Sequence, residues 1–411
     1  MKKAKNINEL ANNLIPEEFL KKADKEFYVP IYDDILLELR DNIINDRVEA
    51  QTFFVAGQSG TGKTTALNFL ENDELRKQYY VKYINMRDFL DERDVDIIDF
   101  LLTFAFALVK DTPLEDEYYQ ELDKIRKKHL GELMEENEKE ETRTAGTGIQ
   151  TEASAGGGFL DFIKLKAGFF ANYKRDILYR KKTREIFNLK APQLRELIDE
   201  LIDKYIEKIT KGKKLLVIID DLDKIKEIKH INSIFLDNRN YIFGLKCKKV
   251  ISIPTYLTTV PAISIYMPNP IRQFMLRLNH NPIDNSCDKE EEKKTIDENK
   301  DSLKKVINIR ITDGIELIDD DALETAVEFS GGIIRQLVHI VRLAAARGRR
   351  LKVGKISKND VLYAINTLRD AVARTIISTE KINLLYRIIE EHKPVSDKAE
   401  EFLELLHANN V

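Results

Sequence analysis

Gly57 to Thr64 reads GQSGTGKT, directly after TFFVA (52–56) and directly before the stretch 64–71. TFFVA is β-branched and aromatic and ends in glycine, which predicts a buried strand, and a helix is expected over 64–71. In such a strand-to-helix turn, glycines at 57, 60 and 62 let the backbone curl so that successive N–H groups face an anion. A Cβ there would block positive φ or close approach. The helix turns the positive end of its dipole to the same anion. Lys63 adds a point charge suited to β and γ phosphates, and Thr64 a hydroxyl suited to Mg²⁺. Gln58, Ser59, Thr61 and Thr65 complete the candidate phosphate-binding set.

A phosphate cradle of this type calls for a second element, an apolar strand that delivers a carboxylate to the metal. LLVIIDDLD (215–223) has that form. Asp220 is the candidate Mg²⁺ ligand, since hard Mg²⁺ prefers oxygen and keeps part of its water shell. Asp221 is the candidate to orient or deprotonate an attacking water. Further strands are expected at Tyr79–Ile84, at KKVISIP (248–254) and at VINIRI (306–311), with helices at Ile31–Ile44, Val95–Leu108 and 193–209. The mostly charged stretch 284–305 reads as a surface loop. From Asp319 onward helical periodicity dominates, with a break at Gly331 and Gly332. Strands alternating with helices predict an α/β fold with a parallel sheet.

GQSGTGKT, then LLVIIDD, then a strand ending in polar residues, then SGGIIR in a helical region, resembles the AAA+ and STAND group of P-loop ATPases. The origin-recognition-like bacterial and archaeal members resemble it most, over roughly residues 30–375. The resemblance implies a three-layer αβα nucleotide-binding core, a small all-helical lid, ATP and Mg²⁺ as ligands, and hydrolysis or ATP-gated switching. It also implies homo-oligomerisation, and DNA or protein partners. Asp221 departs from the glutamate that most hydrolysing AAA+ members carry, which implies slow turnover. The resemblance places a sensor 1 residue at Thr255, with Ser252 as the alternative, and a sensor 2 arginine at Arg335. The arginine finger falls on Arg272, with Arg277 as rival. The domains expected are a lead (1–50), a core (51–312) with an insertion at 112–192, a lid (313–377) and C-terminal helices (378–411). Those last helices form either an incomplete winged helix or an extension of the lid.

The 411 residues are 43% hydrophobic and 33% charged with a formal charge of −4, which excludes global disorder and a uniformly basic coat. The two cysteines, Cys247 and Cys287, are too few for a disulfide framework or a closed zinc site and fit a cytoplasmic setting. No stretch approaches the roughly 18–20 continuous apolar residues of a membrane span, so no integral membrane association is expected. Residues 114–141 carry 11 acidic and 5 basic side chains and read as a solvated helix face. Residues 159–190 carry 9 basic against 3 acidic side chains, interleaved with aromatic rings. That segment suits nucleic-acid phosphates, an anionic membrane surface, or a solvated face over an aromatic core that answers the acidic helix; the last leads. The six histidines show no metal spacing.

Overall fold

The computed structural model describes residues 2–122, 124–125, 175, 177–188, 190–260, 263, 270–279, 289–373 and 382–387. Most of the 159–190 segment, the second half of the acidic stretch, Cys287 and most of 378–411 lie outside the described residues.

The expected parallel sheet is present as five strands: β1 (Thr52–Ala56), β2 (Tyr79–Asn85), β3 (Lys214–Asp220), β4 (Lys248–Ser252) and β5 (Arg272–Gln273). Their order is β2-β3-β4-β1-β5. The pairs β2·β3, β3·β4 and β1·β5 run parallel. β4 pairs with β1 through Lys249 N–H to Gln51 O and Ile253 N–H to Val55 O, a step of four in both strands, so that pair is parallel as well. β1, β4 and all of β3 after Lys214 are buried, whereas the edge strand β2 is only partly so. A strand covered on both faces needs a continuous apolar run, which is what TFFVA and LLVII supply.

The chain divides into two compact units. One comprises Met1–Asn42, Phe54–Asn72 and Ile253–Val411. In it, α1 (Ile7–Asn13) is capped by Asn6, whose side chain accepts from Glu9 N–H. α2 (Asp33–Asn45) buries Leu36, Leu39 and Ile43, the face expected from its periodicity. α3 (Lys63–Asn68) follows the glycine-rich turn. The other unit, Ile43–Phe53 and Asp73–Ser252, holds α4 (Asp73–Gln78), α5 (Ile97–Val109), α6 (Ile177–Asn188) and α7 (Ala191–Lys208). Asp96 caps α5 by accepting from the N–H groups of Ile98 and Asp99, and all thirteen residues of the helix are buried. A helix apolar on every side belongs in an interior. Residues 115–122 are helical, and Tyr118, Tyr119 and Leu122 are buried, so the acidic stretch starts as an amphipathic element and not as a wholly solvated face.

In the first unit the later helices are α8 (Lys289–Asn308), α9 (Asp320–Phe329), α10 (Ile334–Leu351) and α11 (Lys358–Ala373). This corrects two expectations. The charged stretch 284–305 is not a loop but largely α8, and VINIRI is not a strand but the last turn of α8 and the chain leaving it. Ile296, Leu303, Val306 and Ile307 are buried, and their spacing of seven, ten and eleven from the first falls on one helix face. Reading VINIRI by itself hid that seam. Beyond α8, Ala4 forms a parallel bridge with Ile311: Ala4 N–H donates to Arg310 O and Thr312 N–H to Ala4 O, both at 2.8 Å. Among the described residues no helix is long and apolar enough to cross a membrane.

Candidate functional site

The turn GQSGTGKT folds as a cradle. Gly57, Gly60 and Gly62 have φ of 157°, 92° and 99°. A Cβ on Gly60 would lie 2.6 Å from Arg335 Cβ, and one on Gly57 would lie 2.6 Å from the Phe274 carbonyl. Lys63 is buried, and its ammonium donates to Gly57 O at 2.6 Å and Gln58 O at 3.0 Å, so the charge is held over the loop by the loop's own carbonyls. Thr61 donates its hydroxyl to Gln58 O (3.0 Å), and the Thr61 carbonyl accepts from the Tyr32 hydroxyl (2.8 Å). Thr65 Oγ1 accepts from Leu20 N–H at 3.3 Å, and the Thr64 carbonyl accepts from Asn68 Nδ2 at 2.9 Å.

Arg335, the first arginine of α10, sits on this cradle. Its backbone N–H donates to Gly60 O at 3.0 Å, and its guanidinium donates to Ser59 Oγ at 2.7 Å and Pro16 O at 3.1 Å. The break at Gly331 and Gly332 makes this docking feasible: both have positive φ, and a Cβ on Gly332 would lie 2.3 Å from Leu276 O. The loop, Arg335 and Tyr32 thus come together as one cluster, of which the sequence had singled out all but Tyr32.

In the other unit, a carboxylate cluster closes β3. Oxygens of Asp220, Asp221 and Asp223 lie within 4.8 Å of one another. Asp220 is fully buried. Its Oδ1 accepts from Asp221 N–H at 2.8 Å and its Oδ2 accepts from the Tyr83 hydroxyl. Asp221 takes a left-handed backbone, φ 66°, which turns the chain sharply enough to bring Asp223 back beside its neighbours. Burial, then repulsion from Asp220 and Asp223, pushes the Asp221 carboxyl up to about 6, while the Asn85 side chain bonds to it and opposes the shift. Burial and the same carboxylates raise the Tyr83 phenol, keeping it a donor. Three hard oxygen donors in so small a space fit a divalent cation such as Mg²⁺, and the glycine cradle fits a phosphate.

Of the sensor 1 candidates, Ser252 is buried at the end of β4 and its hydroxyl donates to Asp223 Oδ1 at 3.4 Å. Thr255 lies in the 3₁₀ turn Thr255–Thr259, where its carbonyl accepts from Thr258 Oγ1. Arg272 stands on β5. It is buried and held by Glu38 (2.8 Å) and Pro270 O (2.9 Å), whereas the Arg277 side chain is exposed. Asp223, Tyr83 and Asn85 had no assigned role in the sequence. Asp223 was visible in the D-D-L-D string, but Tyr83 and Asn85 enter only through the β2·β3 register, which pairs Asn85 with Asp220.

The basic segment also resolves in part. Arg180, 2% exposed, pairs with Asp91 and Asp94 at 3.3 Å, and Arg184 pairs with Asp94, Asp96 and Asp99. Within the unit these two cations pair with aspartates of 91–99.

No curated protein matches the chain by sequence. Among solved structures, Drosophila ORC bound to DNA is similar at 12% identity and a TM-score of 0.44, covering 98% of this chain and 78% of its own. Cdc6p from Pyrobaculum aerophilum is similar at 13% and 0.43, covering 96% and 83%. A Walker-type ATPase of Pyrococcus abyssi is similar at 11% and 0.46, covering 96% and 93%. The P-loop domain of the KAP family matches residues 32–253, more than half of the chain, and the protein belongs to that family.

Proposed function

We propose that this chain binds and hydrolyses Mg·ATP and uses the nucleotide to change its conformation or assembly. The observation that carries the reading is the folded cradle with Lys63 buried over it, fastened to the first turn of α10 by Arg335. On this reading the N–H groups of 57–65 and Lys63 bind the phosphates, and Thr64 and Asp220 hold Mg²⁺. The metal, when bound, neutralises charge on the transferred phosphoryl group. Asp221 orients the attacking water. Ser252, through Asp223, takes the sensor 1 position in preference to Thr255. Arg335 reads the nucleotide for the lid. In a homo-oligomer the trans-acting arginine is assigned to exposed Arg277, since Arg272 is held by Glu38. We place the core at 51–312, the lid at 313–377, and the protein in the cytoplasm.

Titrating a fluorescent ATP analogue and measuring phosphate release tests this. Lys63→Ala should lose nucleotide binding, and Asp221→Asn should keep binding while losing release. Ordinary ATPase activity in Lys63→Ala would overturn the assignment.

A further inference from the structure

We propose that the turn joining α10 to α11 is a docking surface for the phosphate backbone of duplex nucleic acid. The stretch 347–358, RGRRLKVGKISK, holds six cations (Arg347, Arg349, Arg350, Lys352, Lys355 and Lys358) and no acid, in a chain whose net charge is −4. Folding uses only part of that charge. Arg347 pairs with buried Asp360, and Lys355 pairs with Glu316 (2.7 Å) and Asp319 (3.0 Å). Those three acids are the carboxylates that meet the stretch among the described residues. Arg349, Arg350, Lys352 and Lys358 are exposed and have no carboxylate partner there.

Helix electrostatics accounts for only some of them. Arg349 and Arg350 end α10, where cations complement the negative end of the dipole. Lys358 opens α11, where the dipole end is positive and a cation is disfavoured. The two helix ends at the turn carry opposite partial charges that offset one another, which leaves the side-chain cations to set its positive potential.

The surface is also built in advance. Lys352 adopts a left-handed conformation (φ 56°) and donates its N–H to Arg349 O, and Val353 N–H donates to Gly348 O. Ile356 is bonded on both sides to the 317–319 segment, through Ile356 N–H to Leu317 O and Asp319 N–H to Ile356 O. The guanidiniums of Arg347 and Arg350 lie 4.5 and 5.7 Å from the Tyr363 ring centre, which fixes their height above the turn. An exposed turn of guanidinium and ammonium groups held by backbone hydrogen bonds suits the phosphates of a duplex, with less ordering cost than a free loop would pay. Leu351 and Val353 are only about half exposed, too little apolar surface to favour a lipid bilayer. The inference does not require nucleotide hydrolysis.

The test is a fluorescence-anisotropy titration of the full chain with a labelled duplex of arbitrary sequence at several salt concentrations, alongside vesicles containing phosphatidylserine. The triple variant Arg349→Gln, Lys352→Gln, Lys358→Gln should bind at least about tenfold more weakly. Its plot of log affinity against log salt should be shallower by up to about 2.7, since each phosphate contact contributes about 0.9. Lys181→Gln, outside the turn, should titrate as wild type, and so should Lys63→Ala, even where it no longer binds nucleotide. Absence of duplex binding in the wild type, a triple variant with unchanged affinity and slope, or an effect seen on vesicles alone would each overturn the proposal. If the triple variant melts early, Arg349→Glu carries the same comparison.

Discussion

Arg335 and Ser59 are joined by a guanidinium-to-hydroxyl hydrogen bond of 2.7 Å, and the Arg335 backbone bonds the next residue, Gly60. The phosphate loop and the first turn of α10 are therefore fastened to each other. Arg335→Ala should keep nucleotide affinity within a few-fold but lower turnover by about a hundredfold, the scale of losing one positioned donor. Gly60→Ala should be worse for the fold, because φ of 92° and the 2.6 Å approach to Arg335 Cβ act together. A loss of about 1–3 kcal/mol is expected in urea denaturation.

Tyr83 holds one oxygen of Asp220 while the Asp221 N–H holds the other. Tyr83→Phe keeps the ring and removes a hydrogen bond to a charged group, worth about 1.5–3 kcal/mol. The expected result is a several-fold rise in the Mg²⁺ needed for half-maximal nucleotide binding, together with a small fall in Tm. An unchanged Mg²⁺ titration would mean that the Tyr83 bond does not orient Asp220.

Asp96 caps α5, yet burial, then Asp99, pushes its carboxyl up to about 6. A carboxyl whose pKa is raised on folding binds its proton more tightly in the folded state. Its contribution is thus most favourable below the unfolded value near 4 and is lost as pH rises through 6. Asparagine is an equally good cap without the charge. Asp96→Asn should match wild type near pH 4 and become the more stable of the two by pH 7, read from urea unfolding across that range.

Cys247 is buried, and desolvation raises its thiol to about 11. In a Cys287→Ser background the native chain should give no reaction with Ellman's reagent at pH 8 and one thiol after denaturation. Prompt labelling of the native protein would show that this part of the interior opens.

The parts legible in the sequence are those written locally. TFFVA and LLVIID are buried on both faces, and continuous apolar runs say so; GQSGTGKT needs its glycines for reasons confined to eight residues. Tyr83, by contrast, reaches Asp220 only because β2 lies beside β3 in one register, and a shift by one residue would turn it to the other face. Arg180 and Arg184 looked like surface charge because their aspartate partners lie more than eighty residues earlier. VINIRI misled because β-branched residues suit a strand when read alone, while the helix face they complete begins at Ile296. The basic run 347–358 went unread because helical periodicity was the feature taken from that part of the sequence.

The pairing of Ala4 with Ile311 carries a cost in the order of synthesis. Ala4 finds its partner only after some three hundred further residues have been made, so this contact is among the most non-local between described residues. The apolar side of α1, with Ile7 and Leu10, packs on α10, which is made later still. Contacts that must wait this long slow folding and lengthen the time that apolar surface stays open to aggregation.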